Sequence, residues 1–261
     1  MRHAARAVVL FAACLALTAC AARQVPHAPA SDVWKNYQNR QQALAGLPRT
    51  VDARASLYYT ADGRTNRTLV SLWGDLDHPL RAEITASIGT PLGFFREDAS
   101  GWVAFYPQTG EAFAHSGGRA GASVLGIGAP FSLRDLALLV FGQTMPLTGA
   151  FFAESEPTTG EGATPLTAFR LDGNPAASRL VLDRHGRPVE MSGGDGTPWT
   201  VRFRGYTGEA ANTSSTIEVE LADGRSARLL PRSLSRPKAP FTPDALGLPL
   251  PPGIVPQWVA P

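Results

Sequence analysis

The sequence predicts a mainly β protein with one helix near its N-terminal end and a helical insertion midway. Three observations carry that expectation. From residue 50 to about 230, apolar and polar residues alternate with the period of two that puts successive side chains on opposite faces of a strand. Asp-Gly and related turn pairs separate the alternating runs. Two stretches, near 32–47 and 130–142, carry apolar residues at helical spacing instead.

In chain order, Ser31 or Asp32 is the expected N-cap of a first helix that opens Val33-Trp34-Lys35-Asn36-Tyr37. Ala43, Leu44 and Leu47 continue its apolar stripe, and Gly46 and Pro48 end it. Val51, Ala53, Ala55, Leu57 and Tyr59 then alternate with polar residues up to the turn Ala61-Asp62-Gly63-Arg64. A second strand is expected over 67–74. The third has the cleanest alternation, with Leu80, Ala82, Ile84, Ala86 and Ile88 on one face. Segments 93–96, 101–106 and 111–115 continue the meander. Residues 119–128 read as a weak, Gly-interrupted helix or loop. A better helix follows Pro130, with Ser132 as its cap and Leu136, Leu139 and Val140 as its apolar face, ending at Gly142. Residues 150–165 read as a polar insert. Strands resume over 166–171, 179–183, 188–191 and 199–204, and 217–221 pairs with 227–230 across Ala222-Asp223-Gly224-Arg225. The chain from Pro231 onward holds nine prolines, which favours an extended surface segment.

The elements sum to about ten or eleven antiparallel strands in one sheet, with one face buried. Two helices hardly cover so wide a face. Alternation alone leaves two outcomes open, a strongly curved sheet with an open apolar hollow and a fully packed core.

The N-terminus reads as an export signal. Arg2 and Arg6 precede an aliphatic run over 7–16, and Leu17-Thr18-Ala19-Cys20 follows. That run is too short to span a membrane. An ordinary signal peptide would be cut near Ala22. Leu17-x-Ala19-Cys20, however, resembles the bacterial lipobox, in which the cysteine is acylated and becomes the first mature residue. On that reading residues 1–19 are removed and residues 20–31 form an Ala/Pro-rich tether reaching roughly 35 Å at full extension. Two acyl chains hold such a protein on a bilayer without a transmembrane helix.

Removal of Arg2 and Arg6 leaves 22 of the 24 basic residues against 22 acidic ones, a formally neutral chain. The case for nucleic acid as a partner then lapses. Of the two cysteines, Cys14 leaves with the signal and Cys20 serves as the anchor, so no thiol remains for a disulfide, a metal or a nucleophile. His27, His78, His115 and His185 show no metal-ligand spacing and read as surface groups. Gly121-Ala122-Ser123-Val124-Leu125-Gly126 lacks the spacing of a nucleophile elbow. No enzyme and no cofactor is expected.

Three segments resemble the LolB-like outer-membrane lipoprotein receptors, relatives of the periplasmic carrier LolA. They are Ile88-Gly89-Thr90-Pro91-Leu92-Gly93, Phe131-Ser132-Leu133-Arg134-Asp135-Leu136 with Phe141-Gly142, and Trp199-Thr200-Val201-Arg202-Phe203-Arg204-Gly205-Tyr206. They occur in the family's order within residues 31–232. The resemblance implies an incomplete β-barrel of about eleven antiparallel strands with a helical lid, over residues 32–232, and the Pro-rich tail over 233–261 exceeds the usual family length. It implies an apolar cavity for lipoprotein acyl chains, with Leu57, Tyr59, Ile84, Ala86, Val201, Phe203, Leu136 and Leu139 as lining candidates. It also implies a protruding loop that enters the membrane through Leu92, to which Phe94 adds apolar surface beyond the family pattern, a LolA-like carrier as partner, a monomer, and the periplasmic face of the outer membrane. The alternative is a scaffolding envelope lipoprotein that docks partner proteins without binding a ligand.

Overall fold

The computed structural model describes residues 27–119, 131–173, 176–194, 198–206 and 212–259. The signal segment, Cys20 and most of the Gly-rich 119–128 stretch lie outside the described residues.

The first helix, α1 (Ala30–Ala45), buries Val33, Trp34, Tyr37, Gln41 and Leu44, one stripe at 3–4 residue spacing. It starts two or three residues earlier than expected. Pro29 is the N-cap and its carbonyl accepts the Asp32 and Val33 N–H groups, so neither Ser31 nor Asp32 caps by side chain. Ala43 and Leu47 lie on the exposed side rather than in the stripe.

Six strands follow as a meander: β1 (Thr50–Ala61), β2 (Arg64–Asp75), β3 (Leu80–Ala86), β4 (Pro91–Asp98), β5 (Gly101–Tyr106) and β6 (Glu111–His115). After the helices α2 (Leu133–Val140) and α3 (Met145–Thr148), a second meander runs β7 (Phe152–Thr159), β8 (Pro165–Leu171), β9 (Arg179–Asp183), β10 (Pro188–Gly193), β11 (Trp199–Arg204), β12 (Thr216–Leu221) and β13 (Ser226–Ser235). The helix α4 (Pro243–Leu246) and the two-residue β14 (Gln257–Trp258) complete the described chain.

All 14 strands form one sheet in the order β14-β6-β5-β4-β3-β2-β1-β13-β12-β11-β10-β9-β8-β7. The pairing of β1 with β13 joins the two meanders, and the edges β14 and β7 do not meet, so the sheet stays open. Bulges at Arg54/Ala55, Ile84/Thr85, Phe152/Glu154 and Pro188/Glu190 bend individual strands and help to curl it. The expected curved antiparallel sheet is present, with more strands than expected. The 150–165 stretch is not a mere insert, since β7 occupies it as a mostly exposed edge strand. The Pro-rich tail contributes β14, which pairs parallel with β6.

The helices α1, α2 and α3 sit against the inner face. Trp34 packs on Tyr37, Phe152 and Phe169, and Phe131 meets Trp199 edge-on. Gly186, in the β9–β10 turn, has φ +73, and a Cβ there would lie 2.3 Å from the Tyr37 backbone nitrogen. Glycine lets this turn abut α1. Buried polar groups join α1 to the α2–α3 connection. Gln41 Oε1 accepts the Thr144 and Met145 N–H groups, and the Tyr37 phenol bonds the Thr144 and Thr148 hydroxyls.

The tail crosses the outer face. The Trp73 indole donates to the Ala245 carbonyl and Arg96 Nε to that of Leu246, at 3.0 and 3.1 Å. Among the described residues no helix is long and apolar enough to cross a membrane.

Candidate functional site: an apolar cavity under helix α2

Burial changes along the central strands. Thr50, Val51, Ala53, Ala55 and Ser56 are buried on β1, whereas Leu57 through Ala61 are half-buried. On β3, Leu80–Ala82 are buried and Glu83–Ala86 half-buried. The inner face is therefore filled at one end of these strands and hollow toward the hairpin turns at the other.

The hollow is a cavity of about 170 Å³. Ala53, Ala55, Leu57 and Tyr59 of β1 form its floor, flanked by Val70 and Leu72 of β2 and by Ala82 and Ile84 of β3. Ile217, Val219, Leu221, Ala227 and Leu229 line the opposite flank from β12 and β13, and Phe95 adds a ring from β4. Leu133, Leu136, Leu139 and Val140 of α2 roof it. Ser226 and the Tyr59 phenol are the polar side chains on the wall, and no charged residue contributes. Small Ala53 and Ala55 on the floor and Ala82 on the flank leave the space beneath α2.

Two carboxylates fix the roof. Ser132 Oγ accepts the Asp135 N–H while Asp135 accepts the Ser132 N–H, a reciprocal cap. Glu97 of β4 is 4% exposed, and its Oε2 accepts the Leu133 N–H at 2.6 Å while Oε1 meets His78 Nε2 at 3.1 Å. Negative charge at a helix N-terminus satisfies free N–H groups and the helix dipole together. Arg134 Nε reaches the Leu76 carbonyl, and Gln41 Nε2 holds the Gly142 carbonyl past the helix end. The face of α2 turned from the cavity, Ala137 and Leu138, is wholly buried.

The arrangement can hold hydrocarbon, and Ser226 and Tyr59 are the polar side chains that it presents to a bound molecule. Among the described residues no three His, Cys, Asp or Glu side chains are placed to hold a metal.

This architecture is shared with solved structures. A Vibrio parahaemolyticus domain described as an outer membrane lipoprotein-sorting protein domain aligns over 82% of this chain and 95% of its own, with TM-score 0.52 and 13% identity. A DUF1329 family protein from Desulfovibrio piger aligns over 84% and 99%, with TM-score 0.52 and 11% identity. The chain has a LolA-like fold. A LolA superfamily protein from Nitrosomonas europaea also aligns, over 84% and 100%, with TM-score 0.48 and 10% identity. No family model matches the sequence, and no curated protein is similar to it.

Of the lining candidates, Leu57, Tyr59, Ile84, Leu136 and Leu139 meet at this cavity. Val201 does not, because it is wholly buried among the core side chains. Phe203 is buried too and borders a separate groove with Arg202 and Arg204. Ala86 ends β3, half-buried, away from the lining. Leu92 lies within β4, half-buried, and the apolar side chain that stands out from the β3–β4 turn is Ile88, 90% exposed. Phe94 is half-buried and stacks on Phe105 with centroids 6.3 Å apart. His115 is buried, not a surface group, and its Nδ1 accepts the Gly117 N–H. The β12–β13 flank was not among the candidates. Its alternation was visible, but alternation does not say which inward residues a helix leaves uncovered.

Proposed function

We propose that this protein binds acyl chains of lipids or lipoproteins in the cavity beneath α2 and helps to place lipoproteins in the bacterial outer membrane. The observation that carries the reading is a hollow walled almost wholly by hydrocarbon inside an otherwise packed sheet. Each methylene moved from water into such a site is worth about 0.8 kcal/mol, so a handful of them gives useful affinity without covalent chemistry. An apolar cavity of about 150 Å³ stays dry and admits a benzene-sized molecule. At about 170 Å³ this one takes a short stretch of chain as it stands, and a longer one requires α2 to shift. The proposed role is that of a carrier or acceptor, not an enzyme.

The lipobox-like Leu17-x-Ala19-Cys20 supports a lipid anchor, and with it a place at the periplasmic face of the outer membrane. Ile88 at the β3–β4 turn gives that anchored domain an apolar contact to offer the bilayer. A periplasmic carrier of the same fold is the expected donor. Depletion of the protein tests the role. Lipoproteins should accumulate on their carrier or in the inner membrane, and unchanged membrane fractionation contradicts it.

A further inference from the structure

On the outer face of the central strands, register gathers arginines. Tyr58 of β1 pairs with Arg67 of β2 on one side and Arg228 of β13 on the other. Both guanidinium groups lie over its ring, at 5.9 and 4.9 Å from the centroid. Arg54 lies four residues back along β1 on the same face, and Arg232 bulges from β13 beside it. Arg67 Nη2 and Arg232 Nε both point to Ser56 Oγ, which ties the cluster together.

These four arginines are exposed, and among the described residues none is within ion-pair distance of a carboxylate. The rest of this outer face behaves differently. Arg179 and Arg202 share Glu190, Arg204 holds Glu161 and Glu218, and Arg81 holds Glu83. Glu218 faces Arg228 across the β12–β13 register but is engaged by Arg204 at 3.0 Å. Among the described residues this cluster therefore carries positive charge with no carboxylate in ion-pair contact, unlike Arg81, Arg179, Arg202 and Arg204.

We propose that this Tyr58-centred cluster is a docking surface for an anionic lipid bilayer. Planar guanidinium forks match phosphate oxygens bidentately. An aromatic ring between them suits the headgroup layer, where tyrosine is enriched. Leu69, 38% exposed on the same face of β2, adds apolar contact beside the charges. The Ser87 hydroxyl donates to the Arg67 carbonyl at 3.0 Å, which makes the patch continuous with the turn that carries Ile88. The proposal does not depend on what occupies the cavity.

Flotation with phosphatidylcholine vesicles, with and without phosphatidylglycerol, tests it on the full chain carrying Cys20→Ala. The readout is the ratio of binding to the two vesicle types, in which contributions common to both cancel. Near an anionic surface each arginine is worth ~1 kcal/mol, about fivefold. The ratio should drop roughly 25-fold in the Arg67→Gln/Arg228→Gln double variant and toward one at high salt. Arg170→Gln, which removes one charge on β8 outside the cluster, should leave it unchanged. Arg67→Lys/Arg228→Lys keeps the charge and should retain most of the ratio, which separates lost attraction from lost folding. Equal binding to both vesicles overturns the proposal. So does an unchanged ratio in the Gln variant, or a patch that binds an acidic carrier protein and ignores vesicles. Native mass spectrometry of the Gln variant reads cavity occupancy separately.

Discussion

Tyr37 joins burial to hydrogen bonding at one side chain. Its phenol is fully buried between two threonine hydroxyls, and burial pushes its pKa up to about 12, outweighing the stabilising effect of those hydrogen bonds on the phenolate. The folded protein thus keeps a proton that the unfolded chain loses near pH 10. The resulting stability is complete below pH 10 and is lost between 10 and 12, about 3 kcal/mol in all. Burial raises Tyr206 in the same direction. Thermal melts from pH 9 to 12 should show a steep alkaline fall that is shallower in Tyr37→Phe, a variant costing ~1 kcal/mol at neutral pH through its lost hydrogen bonds. Parallel curves for the two proteins would refute this account of Tyr37. At the β3–β4 turn, Ile88→Glu should change stability by no more than about 0.5 kcal/mol because the side chain touches little. Leu92→Glu should cost clearly more, since it places a charge at a half-buried strand position. Chemical denaturation of the two variants ranks them.

Among the elements, α2 couples the sheet to the cavity, and its N-terminal clasp makes that coupling testable. Ser132→Ala removes one half of the reciprocal cap and should cost about 1 kcal/mol. Glu97→Ala leaves the buried Leu133 N–H without its acceptor and should cost ~1–3 kcal/mol. Both should also speed exchange of the α2 amides, which hydrogen–deuterium exchange reads directly; unaltered α2 protection would show that the clasp does not hold the roof.

The same helix shows what a sequence can disclose. Ser132 and Asp135, three residues apart before Leu136 and Leu139, mark the cap and the apolar face locally. The Glu97 partner is not legible, because it comes from a strand distant in sequence. Strand β7 escapes notice for a related reason: as an edge strand exposed on most of its length, it has no buried face to impose alternation. At the end of β3 the alternation runs on to Ile88, but Gly89 at φ +88, whose N–H bonds the Ala86 carbonyl, turns the chain first. The alternating pattern therefore points one step too far along β3, while Leu92, the position the resemblance implies for a protruding loop, lies half-buried in β4. His115 looks like a surface group by residue type, yet the register of β5 and β6 sets it opposite the buried Trp102.

At the scale of the whole molecule, the described residues form one open sheet of 14 strands that curls around α1, α2 and α3, which leave a hollow on its inner face. Curvature and apolar alternation are readable from residues 50–230, but the hollow is not. It depends on small Ala53, Ala55 and Ala82 standing opposite α2, a juxtaposition that only the assembled sheet creates. The Pro-rich tail gains a role in the same way, since its backbone carbonyls receive Trp73 and Arg96 on the outer face.

The central claim is that the hollow takes an acyl chain. Native mass spectrometry of the protein released gently from the envelope tests it most directly. The wild-type protein should carry an adduct of acyl-lipid mass, and Ala55→Phe, which fills the floor of the cavity, should lose the adduct while still melting cooperatively. A wild-type spectrum without adducts, even after incubation with an acylated peptide, would contradict the account.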